Sequence, residues 1–596
     1  MACSNRGSTR KLTRREFARS IAAIGAAGAI GTMTGCVAES GRRSRATPAD
    51  TGTTVGIDTS IWRYDQENDI FYQLDVAYCT NPRAPAYERM AIYVPGAYFD
   101  ASQNSNGTYT CTPSEMAAIG GFTASKAPIV LYIESDEFAA HASPSEYGAA
   151  DALAYIEAGF VYVHAGFRGN DMAGDAPGGF PRGTADLKAA VRTLRANASN
   201  LAGNTGRIFS FGAGGGGAQS AILGASGMSE DYDPYLAEIG APTMDLEGNA
   251  VSDAVFGVAC WHPETCLDHA DAACEWSMGQ FSSNDTRAAG TFTGLLSNDL
   301  SSSYAATINS LGLASGEEPL RLDEGGEGIF TSGTYYDHVK GIVEESLNGF
   351  LAGTAFPYTV ESEPSPASAA TLGSKSGGSQ TRGALAPRAI CNTAADYIAY
   401  LNGNSAWIAY DAASNTASIE SLSGFVNACR PPSKGAPAFD ALDRSSAENR
   451  LFSDDGNGSL HFDATIARLI IENSSSYAGL AQWSSAYPRD FEKDLAVVDS
   501  MGTSTEQRVA ISSPLHYLLA SQKGTGTPAP HWRIRAGLQQ GDAPLTTEIN
   551  LALAARAASG VQDVDFVAVW DGKHTAAERS GDAVSNFIAW VRKCCG

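Results

Sequence analysis

Short apolar runs alternate with stretches of helical period along most of this chain. Met90–Pro95 (MAIYVP), Ala127–Ile133 (APIVLYI), Phe160–Gly166 (FVYVHAG) and Arg207–Phe211 (RIFSF) are each closed by glycine, proline or polar residues. Runs of that length without polar alternation predict strands buried on both faces. Between them, Gly148–Gly159 and Thr184–Ala198 carry apolar residues three and four apart, the spacing of a helix with one buried face. The alternation returns near the C-terminus in His531–Gly537, Thr547–Gly560, Asp563–Trp570 and Ala583–Lys593. Strand, helix, strand at this spacing predicts an α/β fold, a mostly parallel sheet flanked by helices.

The middle of the chain breaks the pattern. Glu361–Pro387 is rich in Ser, Ala, Gly and Pro and has no period, so it reads as a loop inside an insertion. A lid or cap is expected at about 280–440, inserted into one α/β domain spanning 61–596.

The first residues carry no fold signal and change the compartment instead. Thr13–Ser20 (TRREFARS) holds the twin arginine Arg14-Arg15, a small apolar run follows, and MTGC ends at Cys36. Basic region, apolar region and small residues before a cysteine read as a twin-arginine lipoprotein signal over 1–35, with Cys36 acylated. The apolar run is shorter than the roughly 20 residues a spanning helix needs. Residues 36–60 read as a flexible tether. Export to the cell surface, with membrane contact only through the lipid at Cys36, is the expected localisation.

The formal charge of −24 excludes electrostatic binding to nucleic acid, and no basic stripe offsets it. Eleven cysteines are present, and export permits disulfides. Cys79 with Cys111, and Cys391 with Cys429, are candidate pairs by position alone. No cofactor is expected: there is no CxxC and no GxxxxGK[ST].

The candidate chemistry centres on GAGGGG, Gly212–Gly217, between an apolar run and a small-residue helix. An acyl-transfer enzyme of this architecture places its nucleophile on a tight strand-to-helix turn, backbone N–H groups beside it, and a His on a late loop oriented by an acid. Gly214 occupies the apex of such a turn, and Gly215 follows it. The same glycines also match GxGxxG of a dinucleotide loop. Against that reading, several strands precede the loop and no acid ends a second strand about 20 residues on. His574 follows the Asp563–Trp570 strand, where a proton-carrying His belongs. Asp542 follows the preceding strand and fits the acid, or a turn residue bonding its own backbone. Ser210 and Ser220 flank the turn without sharing its apex.

Two further clusters invite a site. His262–Trp276 (HPETCLDHADAACEW) gathers His262, Glu264, Cys266, Asp268, His269, Asp271 and Cys274, but the spacing fits no compact zinc pattern and lid-to-core packing accounts for it better. No metal site is expected. Tyr335, Tyr336, His338 and Lys340 either line a pocket or pack a lid helix.

Together these stretches resemble the bacterial tannase-like carboxylesterases of the α/β-hydrolase fold, from about Ile92 to the C-terminus. The markers are IYVPGAYF (Ile92–Phe99), GFRGND (Gly166–Asp171), TADLKAAVRTLRAN (Thr184–Asn197), the glycine turn, YDPYLAEIGA (Tyr232–Ala241), CWHPETCLDHADAACEW, PAFDALDRSSAENRLF (Pro437–Phe452), HWRIRAG and HTAAERSG with NFIAWV. The resemblance implies ester hydrolysis, in tannases of gallic acid esters, by a Ser–His–Asp triad under a lid. It implies Gly214 where the nucleophilic Ser belongs, Gly215 as an oxyanion N–H with a second from the loop after Ile133, and His574 as the triad His. It puts Gln540 at the triad acid and Asp542 at a second acid that touches the substrate's phenolic groups, unless Asp542 is itself the triad acid. A site without the Ser, and without the acid unless Asp542 serves, implies a binding protein for an aromatic-ester or carbohydrate-linked ligand. The alternative is a carboxylic ester hydrolase with an unorthodox nucleophile or a His574-activated water.

Overall fold

The apolar runs become strands because both their faces are covered. The computed structural model describes residues 53–283, 285–360, 389–453, 458–572 and 576–596. The leader, Cys36, most of the tether, all of the Ser/Gly-rich loop and His574 lie outside the described residues. The main sheet has nine strands: β1 (Arg63–Asp65), β2 (Ile70–Ala77), β3 (Arg89–Pro95), β4 (Pro128–Tyr132), β5 (Val161–Ala165), β6 (Asn204–Ala213), β7 (Gly257–Trp261), β8 (His531–Gly537) and β9 (Asp563–Val569). Their order is β1-β2-β3-β5-β4-β6-β7-β8-β9. From β5 to β9 every neighbouring pair is parallel. β3 joins β5 antiparallel, as do β1, β2 and β3 among themselves. The Met90–Pro95 run therefore opens an antiparallel edge rather than the parallel core. Its composition does not encode direction, and β2, which alternates buried and half-buried residues, supplies the missing partner.

Alternation along each strand divides the core in two. Ile129, Leu131, Ile133, Val163, Ile208 and Val258 face one side. Val130, Tyr162, Phe209, Phe211, Ala259 and Trp261 face the other. The second side is closed by α1 (Leu153–Glu157) and by α8 (Ala583–Cys595), whose Phe587 ring stacks 4.5 Å from Phe211. α8 starts where the Asp582 carboxylate accepts the Ser585 N–H at 2.8 Å.

The first side carries α2 (Arg182–Ala196), α3 (Gly215–Ala225) and α7 (Leu545–Ala557). α2 is buried nearly all round, so its charges are paired: Asp186 with Arg168 at 2.8 Å, Lys188 and Arg192 with Asp253 at 2.9 and 2.7 Å.

Residues 262–530 leave the sheet between β7 and β8 and include α4 (Ala270–Ser277), α5 (Phe292–Leu311) and α6 (Thr334–Gly353). The expected insertion at 280–440 falls inside this stretch. Its helices are bolted to the core. Tyr335 on α6 donates to Asn550 Oδ1 on α7 at 2.7 Å and lies 3.1 Å from the Tyr304 hydroxyl on α5. Tyr335 is fully buried, so it packs rather than lines a pocket. All nine described cysteines are free thiols. Cys111 sits on a hairpin of Phe99–Gln103 with Tyr109–Pro113, while Cys79 follows β2, and the two are not bridged. No helix among the described residues is long and apolar enough to cross a membrane.

Candidate functional site

β6 ends at Ala213, α3 begins at Gly215, and the single residue between them turns the chain. Gly214 has φ +54° and ψ −122°, a conformation that disfavours any side chain. Its N–H donates to the Trp261 carbonyl on β7, and its carbonyl accepts the Ala218 N–H, both at 2.9 Å. The neighbouring glycine is required by close approach: a Cβ at Gly216 would stand 2.2 Å from the Ile133 carbonyl oxygen. The helix has no side-chain cap, so its first N–H groups point out beside Gly214. The loop after Ile133 arches over this end. An added Cβ at Gly215 would meet Phe138 N at 3.0 Å and Ser135 Oγ at 3.3 Å. Ser210 and Ser220 are fully buried, one within β6 and one within α3, away from the turn's apex.

The chain after β8 returns to the same end of the sheet. Gly537 N–H donates to His262 Nδ1 at 3.1 Å, and Gln539 N–H to the Gly572 carbonyl at 2.8 Å. Gln540 is buried and Asp542 half-buried. Gly572 and Ala576 flank the residues that include His574, whose side chain lies outside the described residues.

The insertion meets this loop. Arg430 donates to the Gly537 and Ala543 carbonyls at 2.6 and 2.5 Å, and Ser433 N–H to Gly541 O at 2.8 Å. One residue after Ser433, Lys434 Nζ lies 3.0 Å from Glu448 Oε1, 3.5 Å from Glu264 Oε1 and 4.1 Å from the Phe439 ring centroid. Burial pushes the Glu264 carboxyl well above its usual range against the pull of Lys434, with Glu448 and Asp542 adding to the rise. Burial opposes ionisation of Glu448 too, but Lys434 and a hydrogen bond from Glu264 hold it below its usual range. The group therefore offers a donor at Lys434 and acceptors at Glu448 and Asp542. Lys434 was not foreseen; nothing in its local sequence marks it.

The His262–Trp276 cluster does not converge. His262 turns to Gly537 and Glu548, Glu264 to Lys434, and His269 to Asp268 at 3.1 Å. Asp271 accepts the N–H groups of Ala438, Phe439 and Asp440 at 2.6, 2.9 and 3.0 Å, which pins the insertion to α4.

The solved structures that superpose on the chain match this architecture. The tannin acyl hydrolase of Lactobacillus plantarum is 23% identical, with a TM-score of 0.61 over 88% of this chain and 94% of that one. A tannin acyl hydrolase in complex with ethyl gallate gives the same values. The Fusobacterium nucleatum tannase is 22% identical, with a TM-score of 0.61 over 88% and 95%. The fold is that of the bacterial tannases. Within the tannase fold, an α/β hydrolase, the sheet, the turn at Gly214 and the returning loop at Gln540 share one end of the parallel strands, where this class of sheet binds ligands. No protein-family model matches the sequence, and no curated protein matches it.

Proposed function

We propose that this protein is an exported, lipid-anchored binding protein on a tannase fold, holding an aromatic ester or a carbohydrate-linked aromatic without serine-based hydrolysis. One observation carries the reading: the strand-to-helix turn persists in full, and the residue at its apex has no side chain. Without a nucleophile the first step of acyl transfer has no acceptor. What remains to the site is binding and oriented N–H groups, worth on the order of a thousandfold over water. Gln540 in the acid's place would hold an imidazole but not stabilise its protonated form. The ligand class is supported by the donor of Lys434 and the acceptors of Glu448 and Asp542, which suit neighbouring phenolic hydroxyls. Tannase-fold structures carrying ethyl gallate and 3,4-dihydroxybenzoate point the same way.

The test assays nitrophenyl acetate and methyl gallate with wild type, Gly214→Ser and His574→Ala, beside calorimetric titration with ethyl gallate. A silent wild type that binds ethyl gallate supports the reading. Wild-type turnover abolished by His574→Ala overturns it in favour of water activated by that histidine. Export is tested separately: Cys36→Ser should move the protein from the membrane to the soluble fraction.

A further inference from the structure

We propose that Glu134, His141 and His164 form a divalent metal site of the zinc class beside the Gly214 turn. Glu134 follows β4 by two residues, and the carbonyl of Ile133 before it packs against Gly212 and Gly216. His164 lies on β5 opposite Tyr132. His141 is tied to the end of β5 by paired backbone bonds with Phe167, at 3.1 and 2.8 Å. Strand β5, the chain just past β4 and a loop tied to the end of β5 thus bring three potential ligands together. Their ligand atoms all lie within 4.8 Å of one another.

The spacing is wrong for hydrogen bonds and right for coordination. Glu134 Oε2 stands 3.5 Å from His141 Nε2 and 3.7 Å from His164 Nε2. A ring N–H donating to a carboxylate would sit at about 2.7–3.2 Å. Two ligand atoms about 2.1 Å from one tetrahedral metal stand about 3.4 Å apart. His164 is 94% buried, since only 6% of its surface is exposed, and its Nε2 has no hydrogen-bond partner. A buried imidazole nitrogen left without a partner is costly unless something else fills its lone pair. The two imidazole rings stack at 4.9 Å and 6° with the carboxylate to one side, so binding requires them to tilt together. Burial keeps both rings in the neutral form a metal needs, His164 at about 3 and His141 at about 4. Two imidazoles and one carboxylate are a zinc donor set that leaves a coordination position for water or a ligand oxygen. Glu134 and His141 side chains keep 23% and 22% of their surface, so that position is reachable.

The site is independent of the reading of Gly214, and its test does not use turnover. The protein is stripped with a chelator, then titrated with Zn2+ by calorimetry and with Co2+ by visible absorption. Wild type should bind one ion per chain and give Co2+ bands of low coordination number. His141→Ala and Glu134→Gln should each weaken Zn2+ by roughly 100-fold or more, since even outer partners of a metal site are worth 10–100-fold. His516→Ala, at a histidine elsewhere, should leave binding unchanged. His141 and Glu134 are partly exposed, so these variants remain informative if His164→Ala unfolds. No binding by wild type, or binding that survives both variants, overturns the proposal.

Discussion

Replacing Gly214 by alanine should destabilise the protein through backbone torsion. At φ +54° and ψ −122°, a residue with a Cβ is held in a sparsely populated region, which costs about 1–3 kcal/mol. The usual gain from Gly→Ala, about 0.4–1 kcal/mol through the unfolded chain, applies only where the native conformation suits alanine. The net loss is therefore about 1–3 kcal/mol. Two companions separate the causes. Gly216→Ala fails by contact, because its Cβ would press on the Ile133 carbonyl at 2.2 Å; overpacking of this kind costs about 1–3 kcal/mol. Gly341→Ala on α6 has open space at the Cβ and no positive φ, so it should stabilise by about 0.5–1 kcal/mol. Urea midpoints followed by tryptophan fluorescence rank the three. Gly214→Ser should lose as much as Gly214→Ala, since the hydroxyl does not relieve the torsion. A Gly214→Ala protein as stable as wild type would refute the argument that this turn is conformationally constrained.

On the proposed function, Lys434→Met should lower ethyl gallate affinity tenfold or more by calorimetry, because it removes the cation paired with Glu264 and Glu448. Ser220→Ala should raise stability by about 1 kcal/mol in urea, since its buried hydroxyl has no partner to lose. Asp271→Asn should cost about 1–3 kcal/mol, because an amide cannot serve all three of the N–H groups the carboxylate accepts. Burial, reinforced by Asp186 and opposed by Arg168, raises Glu88 from its ordinary 4.5 to about 7. The folded state then holds a proton that the unfolded state has released, so this contribution is full below pH 4.5 and lost as pH rises to 7. Glu88→Gln should flatten the decline of thermal midpoint across that window.

The strands of the parallel core were legible because burial on both faces leaves an unbroken apolar run, as in Pro128–Tyr132 and Val161–Ala165. β7 was not, because Gly257–Trp261 has a small apolar composition and runs straight into the His262 cluster, which drew the eye as chemistry. The antiparallel edge was invisible for a related reason: pairing direction depends on which strand lies alongside, not on the run itself. The turn at Gly214 could be read from small residues in sequence. The Lys434 group could not, since its members come from the stretch after β7, the insertion and the loop after β8. His164 left one signal, a single polar residue inside FVYVHAG, but its companions lie on a loop 23 and a strand end 30 residues away.

The sheet order also has a consequence for synthesis. β7 pairs on one side with β6, completed 44 residues before β7 begins at 257, and on the other with β8, which begins at 531. Between the end of β7 at 261 and the start of β8, roughly 270 residues must leave the ribosome, about 15 to 55 s at 5–20 residues per second. For that interval the central strands present an open, apolar edge of the kind that templates aggregation. The stretch between β7 and β8 is thus also a delay line, and the nascent chain needs that edge shielded until β8 arrives.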